Sequence, residues 1–380
     1  QSLEDAIKNV ETSGSVVYRY NDYRNDAKTN GVTKGSNTNN NYKVALNLSS
    51  KVNEDVKFNS RFLVANEDGN FAGPLDTQND GDSNPGVSLS HANFGYTGIA
   101  NTTITAGKQG LTTPWTVAID SDGQEQTGTG LLALTTVGPV TLAAAYFNQT
   151  NLDNSGDAAA TLNALSPNSK AGSRDIITVG AIANLDFVTL DAWYLDLAET
   201  FDSYTVGAKA DIDLTDVKLG LDTRFASLNA DRLTTDNQMA KIALTAKAGI
   251  VNGKVAYAWT DKEGGLTALD NDANTTLLGW NLTSNNKADA NYWQGVIGVD
   301  ILSNLNLSAN YGNLQYISAA GSTTDVEEEE IYAQLMYKMS KNLSTYVRYG
   351  TYTKETTAAN TRTVENNDDV RGRVQVEYTF

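Results

Sequence analysis

The chain has 380 residues, with 28 basic and 45 acidic side chains, which leaves a net charge of −17 at pH 7. So acidic a chain lacks the basic face that nucleic-acid phosphates require, and we exclude a nucleic-acid partner. The absence of cysteine excludes a disulfide scaffold and a thiolate metal site. The single histidine, His91, lies in no nucleophile motif, so we do not expect an enzyme.

The first twelve residues precede the regular pattern of the chain. Leu3, Ala6, Ile7 and Val10 lie at helical spacing and predict a short N-terminal helix. No leader with a charged and then an apolar region precedes it, so we expect a processed, mature chain.

From residue 13 onward the dominant pattern is an alternation of apolar and polar residues, which is typical of strands with two different faces. In the last segment Val374, Val376 and Tyr378 share one face, whereas Arg373 and Glu377 lie on the other. Runs of this kind predict eighteen strands, near residues 13–22, 41–50, 55–66, 87–97, 101–109, 127–136, 139–148, 174–184, 186–195, 201–212, 216–226, 238–249, 252–261, 290–301, 304–314, 329–339, 342–353 and 370–380.

One uncharged window, from Thr127 to Leu152, has the apolar character of a transmembrane helix. Gly138 and Pro139 interrupt its middle, where proline would remove a helical hydrogen bond and clash with the preceding turn. We therefore interpret the window as two strands joined by a tight turn.

The connections between the predicted strands alternate between long polar stretches and tight turns. Long stretches occupy 23–40, 67–86, 110–126, 149–173, 262–289 and 354–369, and all five prolines lie in connections. Long loops at one end and short turns at the other are typical of an outer-membrane β-barrel, in which closure leaves no unpaired backbone edge in hydrocarbon. A soluble sandwich would not show this alternation around eighteen strands, and a solenoid would show a fixed repeat. The sequence predicts one all-β domain over residues 1–380, an 18-stranded antiparallel transmembrane barrel, with residues 1–12 as a short periplasmic segment.

Several segments resemble the Campylobacter-type major outer membrane porins. They include Ile104-Thr105-Ala106-Gly107-Lys108-Gln109, followed by Trp115-Thr116 and Ile119-Asp120, together with Leu3–Lys8, Tyr18-Arg19-Tyr20 and Thr141–Ala144. The similarity extends over the whole strand and loop plan, although the external loops diverge. The resemblance implies a Gram-negative outer-membrane location, a homotrimer and a passive, cation-preferring general diffusion pore for ions and small hydrophilic solutes. It also implies a calcium ion held by acidic residues near the constriction.

Inward-facing basic residues cluster on strands that barrel closure makes neighbours, namely strands 17, 18, 1, 2 and 3. We predict that they form one basic wall of the pore, consisting of Arg19, Lys43, Lys57, Arg61, Arg348, Arg371 and Arg373. Opposite them we place the loop 110–126, which follows strand 5 and has the position of the constriction loop of trimeric porins. Its carboxylates, Asp120, Asp122 and Glu125, would create a transverse field across the lumen.

For the calcium ion, the resemblance carries over Asp120 by its motif, and two further ligands by approximate position. Asp157 is chosen from the loop after strand 7, where Asp153 is nearly as good, and Asp270 from the loop after strand 13, where Asp272 is nearly as good. Oxygen ligands of this kind suit calcium.

The terminal Phe380, with Tyr378, resembles the signal that the outer-membrane assembly machinery reads. The acidic run Glu327–Glu330 is interpreted as solvated loop surface. The inward aromatic residues Trp193, Tyr332 and Tyr346 are too few for the aromatic ladder of a sugar-specific porin. A sugar-type specific porin and a surface adhesin remain the alternatives to a general pore.

Overall fold

The computed structural model describes residues 4, 8–65, 71 and 86–380. Eighteen antiparallel strands, β1 to β18, follow one another in a single sheet. They span Val10–Asn25, Gly35–Lys51, Val56–Val64, Val87–Tyr96, Thr102–Gly110, Thr127–Val137, Val140–Thr150, Ile176–Leu185, Val188–Leu197, Phe201–Leu214, Val217–Ala230, Asn237–Ala248, Val251–Thr260, Ala288–Leu302, Leu305–Ile317, Asp325–Lys338, Leu343–Thr357 and Val364–Thr379. Helix α1, Ala159–Leu165, and two short 3-10 helices, Pro167–Ser169 and Ala171–Ser173, lie between β7 and β8.

The sheet is closed, because the first strand pairs with the last. Strand β1 pairs with β2 on one side and with β18 on the other, in a register that runs from Ser15 opposite Thr379 to Asn25 opposite Asp369. Every other strand pairs with its neighbours in the sequence. The predicted 18-stranded antiparallel barrel is confirmed.

The uncharged window around Gly138 folds as predicted. Strands β6 and β7 pair from Gly128 opposite Thr150 to Val137 opposite Val140, which leaves Gly138 and Pro139 as the turn. Gly138 has a φ of 58°, a conformation that glycine adopts without strain. None of the described helices is long and apolar enough to cross a membrane.

The two faces of the barrel differ as the alternation predicts. Outward side chains are apolar and exposed, for example Leu131, Tyr194, Leu244, Ile297 and Tyr349. Because such a band of apolar surface is unfavourable in water, it is the surface that lipid covers in an outer-membrane barrel. Inward side chains are polar, or they pack against loops that enter the lumen.

Several strands are longer than predicted, mainly at the end of the barrel that carries the long loops. Strand β18 begins at Val364 and not near residue 370, and β16 begins at Asp325. The acidic run therefore lies in a strand and not in a solvated loop, with Glu328 and Glu330 facing inward and only 5% and 3% exposed. Above the membrane both faces of a strand meet water, so the alternation on which the prediction rests is lost there. The predicted N-terminal helix and the connection 67–86 lie largely outside the described residues.

Among the described residues, three long loops fold into the lumen, and we call them the constriction loop (residues 111–126), the second inner loop (151–175) and the third inner loop (261–287). Their apolar residues, including Leu111, Trp115, Leu162, Leu266 and Leu269, form one buried cluster with inward residues of the wall. The wall contributes Phe147, Ile176, Leu195, Leu197, Phe201 and Leu228. One side of the lumen is therefore a packed hydrophobic core.

Candidate functional site

The constriction loop crosses the lumen and is held at both ends. On one side the Trp115 indole is fully buried, and its Nε1 donates a hydrogen bond of 2.9 Å to Ser203 Oγ on β10. On the other side Glu125 accepts hydrogen bonds from Lys43 Nζ at 2.5 Å and Arg61 Nε at 2.8 Å, on β2 and β3. The loop after strand 5 thus lies inside the barrel, as predicted.

Glu125 does not have the role that the sequence analysis gave it. Glu125 is only 1% exposed, and the neighbouring Lys43 and Arg61 are 5% and 7% exposed. Burial raises the pKa of Glu125, but the Arg61 and Lys43 cations more than offset that effect, so its pKa lies below its usual value. This triad fastens the constriction loop to the wall. The Glu125 carboxylate offsets one of the two positive charges, and none of the three side chains lines the cavity described below.

The other predicted basic residues have three different environments. Arg19 donates to the Ser121 carbonyl at 2.5 Å and lies 3.5 Å from Asp122 of the constriction loop. Arg371 forms an ion pair with Asp369, two positions away on β18, whereas Lys57 is half-exposed near Glu11 at the end with short turns. Arg348 and Arg373 form no ion pair with a described carboxylate.

The three predicted metal ligands lie together, one from each inner loop. A carboxylate oxygen of Asp120, one of Asp157 and one of Asp270 are all within 4.8 Å of one another. Backbone N–H groups hold the other oxygens: Asp122 donates to Asp120 at 2.9 Å, Asn271 to Asp157 at 3.0 Å, and Asp272 to Asp270 at 2.9 Å. Of the alternatives, Asp153 accepts from Gly172 N at 2.8 Å, and Asp272 accepts from Ser121 N.

This cluster fits an oxygen-preferring cation. Asp120 Oδ2 and Asp270 Oδ2 are buried and have no hydrogen-bond partner. Ligand oxygens 2.3–2.6 Å from a calcium ion lie within about 5 Å of each other, which matches the spacing here. Without a cation, burial raises the pKa of Asp120 to about 7, and burial together with the Asp120 charge raises that of Asp270 to about 9. Burial also raises the pKa of Asp157.

The sequence indicated Asp270 of the third inner loop as a metal ligand near the constriction, but it did not indicate Trp280 of the same loop. Glu330 on β16 accepts hydrogen bonds from the backbone N–H groups of Trp280 at 3.0 Å and Asn281 at 2.7 Å, so the loop turns towards the wall. The Trp280 ring centre lies 5.6 Å from Arg348 Cζ and 5.0 Å from the Tyr332 ring centre. The available signals were the length of the connection 262–289 and a tryptophan within a polar loop.

A second set of inward basic residues was also missed, although the same alternation could have found it. Lys209, Arg224, Lys241 and Lys254 lie on β10 to β13, and Arg224 forms an ion pair with Asp191 at 2.8 Å. Of these, Lys254 reaches the passage.

A cavity of about 480 Å³ lies between the inner loops and the basic wall, and we interpret it as the narrow part of the passage. The loop carboxylates Asp122, Asp157 and Asp272 line this cavity together with Glu330, Arg348 and Arg373 of the wall. Charged solutes in the cavity therefore experience both carboxylates and guanidinium groups.

Solved structures of the same fold are bacterial outer-membrane proteins. Pseudomonas aeruginosa OccK2 (OpdF), solved in complex with glucuronate, matches with a TM-score of 0.75 and 14% identity, over 97% of this chain and 98% of its own. P. aeruginosa OpdL gives 0.74 and 18%, over 98% and 99%, and Acinetobacter baumannii OccAB3 gives 0.73 and 13%, over 97% and 99%. At these identities the likeness shows the fold alone. No curated protein is significantly similar in sequence.

The whole chain matches one sequence family. The profile of the Campylobacter major outer membrane protein covers residues 1–380, so it includes every strand and all three inner loops. A closed barrel with an apolar outer surface and a charged interior is the structure expected of a channel in the outer membrane of a Gram-negative bacterium. The chain belongs to the Campylobacter major outer membrane protein family and is an outer-membrane porin.

Proposed function

We propose that this porin is a general diffusion channel, which passes ions and small hydrophilic solutes passively, without a catalytic step, and prefers cations. The observation that carries the proposal is the passage of about 480 Å³, which is lined by polar and charged side chains from both the loops and the wall. A water-filled constriction of mixed charge filters solutes by size and charge.

The cation preference follows from the distribution of charge. Glu125 neutralises part of the basic wall, Asp369 pairs with Arg371, and Asp122 of the constriction loop remains 60% exposed beside Arg19. The net charge of −17 adds a negative potential that raises the local concentration of cations at the pore mouths.

Reversal potentials in planar bilayers under a potassium chloride gradient test this proposal. We expect a cation-selective potential, reduced in Asp122→Asn, where one passage carboxylate is lost. Asp325→Asn, at the outer start of β16, removes the same charge away from the lumen and should leave the potential unchanged. An anion-selective wild type, or equal effects of the two variants, would contradict the proposed preference.

We further propose that calcium binds Asp120, Asp157 and Asp270. A bound calcium ion would supply two positive charges, which removes the repulsion among three carboxylates held by three separate loops. The unpartnered Asp120 and Asp270 oxygens support this proposal, and so does the backbone support of each second oxygen.

A homotrimer and recognition of the C-terminus by the assembly machinery are also proposals. Phe380 stacks on Tyr378, with ring centres 5.7 Å apart, and its backbone pairs with Gly14 at the barrel seam. For the homotrimer, we expect an unboiled gel to show a species of about three times the monomer mass. A monomer after mild extraction would contradict the trimer.

A substrate-specific porin is the second candidate. One observation favours it, namely an aromatic cluster around three arginines of the wall. The rings are those of Trp280, Tyr23, Tyr332, Tyr346 and Tyr352, and the arginines are Arg348, Arg371 and Arg373. The sequence pattern indicated no such cluster. Glucuronate in the OccK2 structure is a carboxylate that fits a basic site of this type.

A further inference from the structure

Two guanidinium groups in the lumen differ from all the others on the described wall. Arg19, Arg61, Arg224 and Arg371 each form an ion pair with a carboxylate. Arg348 and Arg373 donate to neutral partners instead. Arg348 Nε donates to Gln334 Oε1 at 2.5 Å, and Arg373 donates to Asn21 Oδ1 at 2.7 Å and to Tyr23 Oη at 3.1 Å. Their charges are therefore oriented by hydrogen bonds and are not neutralised by an acidic partner.

Aromatic rings hold these two groups in place. Arg348 Cζ lies 4.7 Å from the Tyr346 ring centre and 5.6 Å from that of Trp280, and Arg373 Cζ lies 5.8 Å from the same Trp280 ring. Cation–π contacts of this kind fix the plane of a guanidinium without using its N–H donors. Trp280 thus links both arginines from the loop side.

Glu330, a buried carboxylate that lines the same cavity, accepts its hydrogen bonds from the third inner loop. Glu330 is 3% exposed, and it accepts from the backbone N–H groups of Trp280 and Asn281 and from Asn281 Nδ2 at 3.0 Å. It therefore positions the third inner loop and does not form an ion pair with Arg348. Among the described residues, Arg348 Nη1 and Nη2 have no hydrogen-bond acceptor, so the arginine pair keeps donors available to a ligand in the cavity.

We propose that Arg348 and Arg373 form a subsite that binds the carboxylate group of small organic anions during their passage. The inference rests on the proposed channel function and names a solute class for it. A planar guanidinium donates two parallel N–H groups to one carboxylate, and the cavity has the volume of a small-ligand site. Asp122 and Asp272, which line the same cavity, favour a singly charged anion over a multiply charged one, such as inorganic phosphate, because they repel each added negative charge.

Single-channel recording with potassium gluconate tests the subsite. Sorbitol has a similar six-carbon chain without the carboxylate and controls for size, and inorganic phosphate controls for other anions. We expect gluconate to interrupt the potassium chloride current in a concentration-dependent way, sorbitol to have no such effect, and phosphate to be weaker than gluconate.

Arg348→Gln and Arg373→Gln should each weaken the apparent gluconate affinity about tenfold or more, because a charged hydrogen bond is lost. Arg224→Gln removes the same charge from another part of the wall and should leave the affinity unchanged. Trp280→Phe keeps a ring beside the arginines and should retain more affinity than Trp280→Ala. Open-channel current in potassium chloride alone shows that each variant has folded.

An equal loss of affinity in Arg224→Gln, or a phosphate effect as strong as that of gluconate, would overturn the carboxylate subsite in favour of a general anion effect. A wild-type channel of normal conductance that gluconate does not interrupt would also overturn it, while the proposed channel function would stand. A barrel that conducts no ions would contradict the channel itself.

Discussion

At the scale of single residues, the three carboxylates of Asp120, Asp157 and Asp270 decide how the inner loops meet. Each comes from a different loop, and each has one oxygen held by a backbone N–H. Burial and mutual repulsion raise the pKa values of Asp120 and Asp270 when no cation is present. The loops therefore join through groups that repel one another unless a proton or a cation intervenes.

We predict that chelation lowers the thermal midpoint of the folded barrel and that calcium restores it. A cation that binds only the folded state stabilises it by about 2.7 kcal/mol at one hundred times its dissociation constant. Asp120→Asn should abolish the difference between chelated and calcium-loaded protein. Circular dichroism melts in detergent provide the measurement.

Asp153→Asn is the matched control, because Asp153 lies in the second inner loop but outside the cluster.

The chelated wild type should also lose stability as pH rises from about 4 through 7 to 9. Its raised pKa values mean that the folded state binds protons more tightly than the unfolded chain does. An unchanged midpoint in chelator and calcium, with no calcium in metal analysis, would exclude the site.

Sequence could place these residues only in part. Asp120 was chosen by its motif, whereas nothing local distinguishes Asp157 from Asp153 or Asp270 from Asp272. The choice depends on contacts between loops that are more than 100 residues apart, such as Asn271 N with Asp157. Glu125 was misread for the same reason, since its partners Lys43 and Arg61 lie on distant strands.

At the scale of structural elements, the constriction loop crosses the lumen and is attached to the barrel wall at both ends. Trp115 holds its first half by packing and a hydrogen bond to Ser203, and Glu125 holds its second half by buried ion pairs. Leu269 N and Thr275 N of the third inner loop donate to the Trp115 and Pro114 carbonyls at 2.8 and 3.1 Å. The width of the passage is therefore set by these contacts.

We predict that Glu125→Gln loosens the loop and gives a larger and noisier open-channel current. Removing the shared carboxylate leaves Lys43 and Arg61 buried and unpaired, which costs about 3–5 kcal/mol locally. Glu11→Gln, which breaks the exposed contact with Lys57, should have no effect, because exposed ion pairs contribute little. Single-channel conductance in bilayers measures both. A wild-type current in Glu125→Gln would show that packing of Trp115 alone holds the loop.

The strands were predictable because the membrane imposes a local pattern. Where one face meets lipid and the other meets the lumen, residues must alternate, and all eighteen strands were found. The pattern fails at strand ends such as Glu365–Asp369, which are polar on both faces. It also carries no information on how loops pack inside the barrel, which is why Trp280 was missed.

At the scale of the whole molecule, the barrel closes at a seam between β1 and β18. Gly14 N donates to the Phe380 carbonyl at 3.0 Å, and Phe380 N donates to the Gly14 carbonyl at 3.1 Å. A Cβ atom at Gly14 would lie 2.2 Å from the Ala45 carbonyl oxygen and 2.6 Å from Phe380 Cζ. The absence of a side chain at this position lets the terminal ring lie across the seam.

We predict that Gly14→Val reduces the fraction of correctly closed barrel, because the added atoms force β1 away from β2 or displace Phe380. Gly295→Val is the matched control, since it also lies within a strand but has nothing within 4 Å of an added Cβ. Unboiled and boiled protein migrate differently on a gel when the barrel is closed. The fraction of unboiled protein in the shifted band therefore measures closure. Equal yields of the two variants would show that the seam tolerates a side chain.

The packed core inside the lumen has a consequence for the order in which the protein is built. Trp115 and Leu269 belong to the same buried cluster, although more than 150 residues separate them in the chain. If strands enter the membrane in chain order from β1, the constriction is incomplete until β13 and the third inner loop have arrived. A half-inserted barrel would then lack the contacts that narrow the passage, so the filter would form only late in biogenesis.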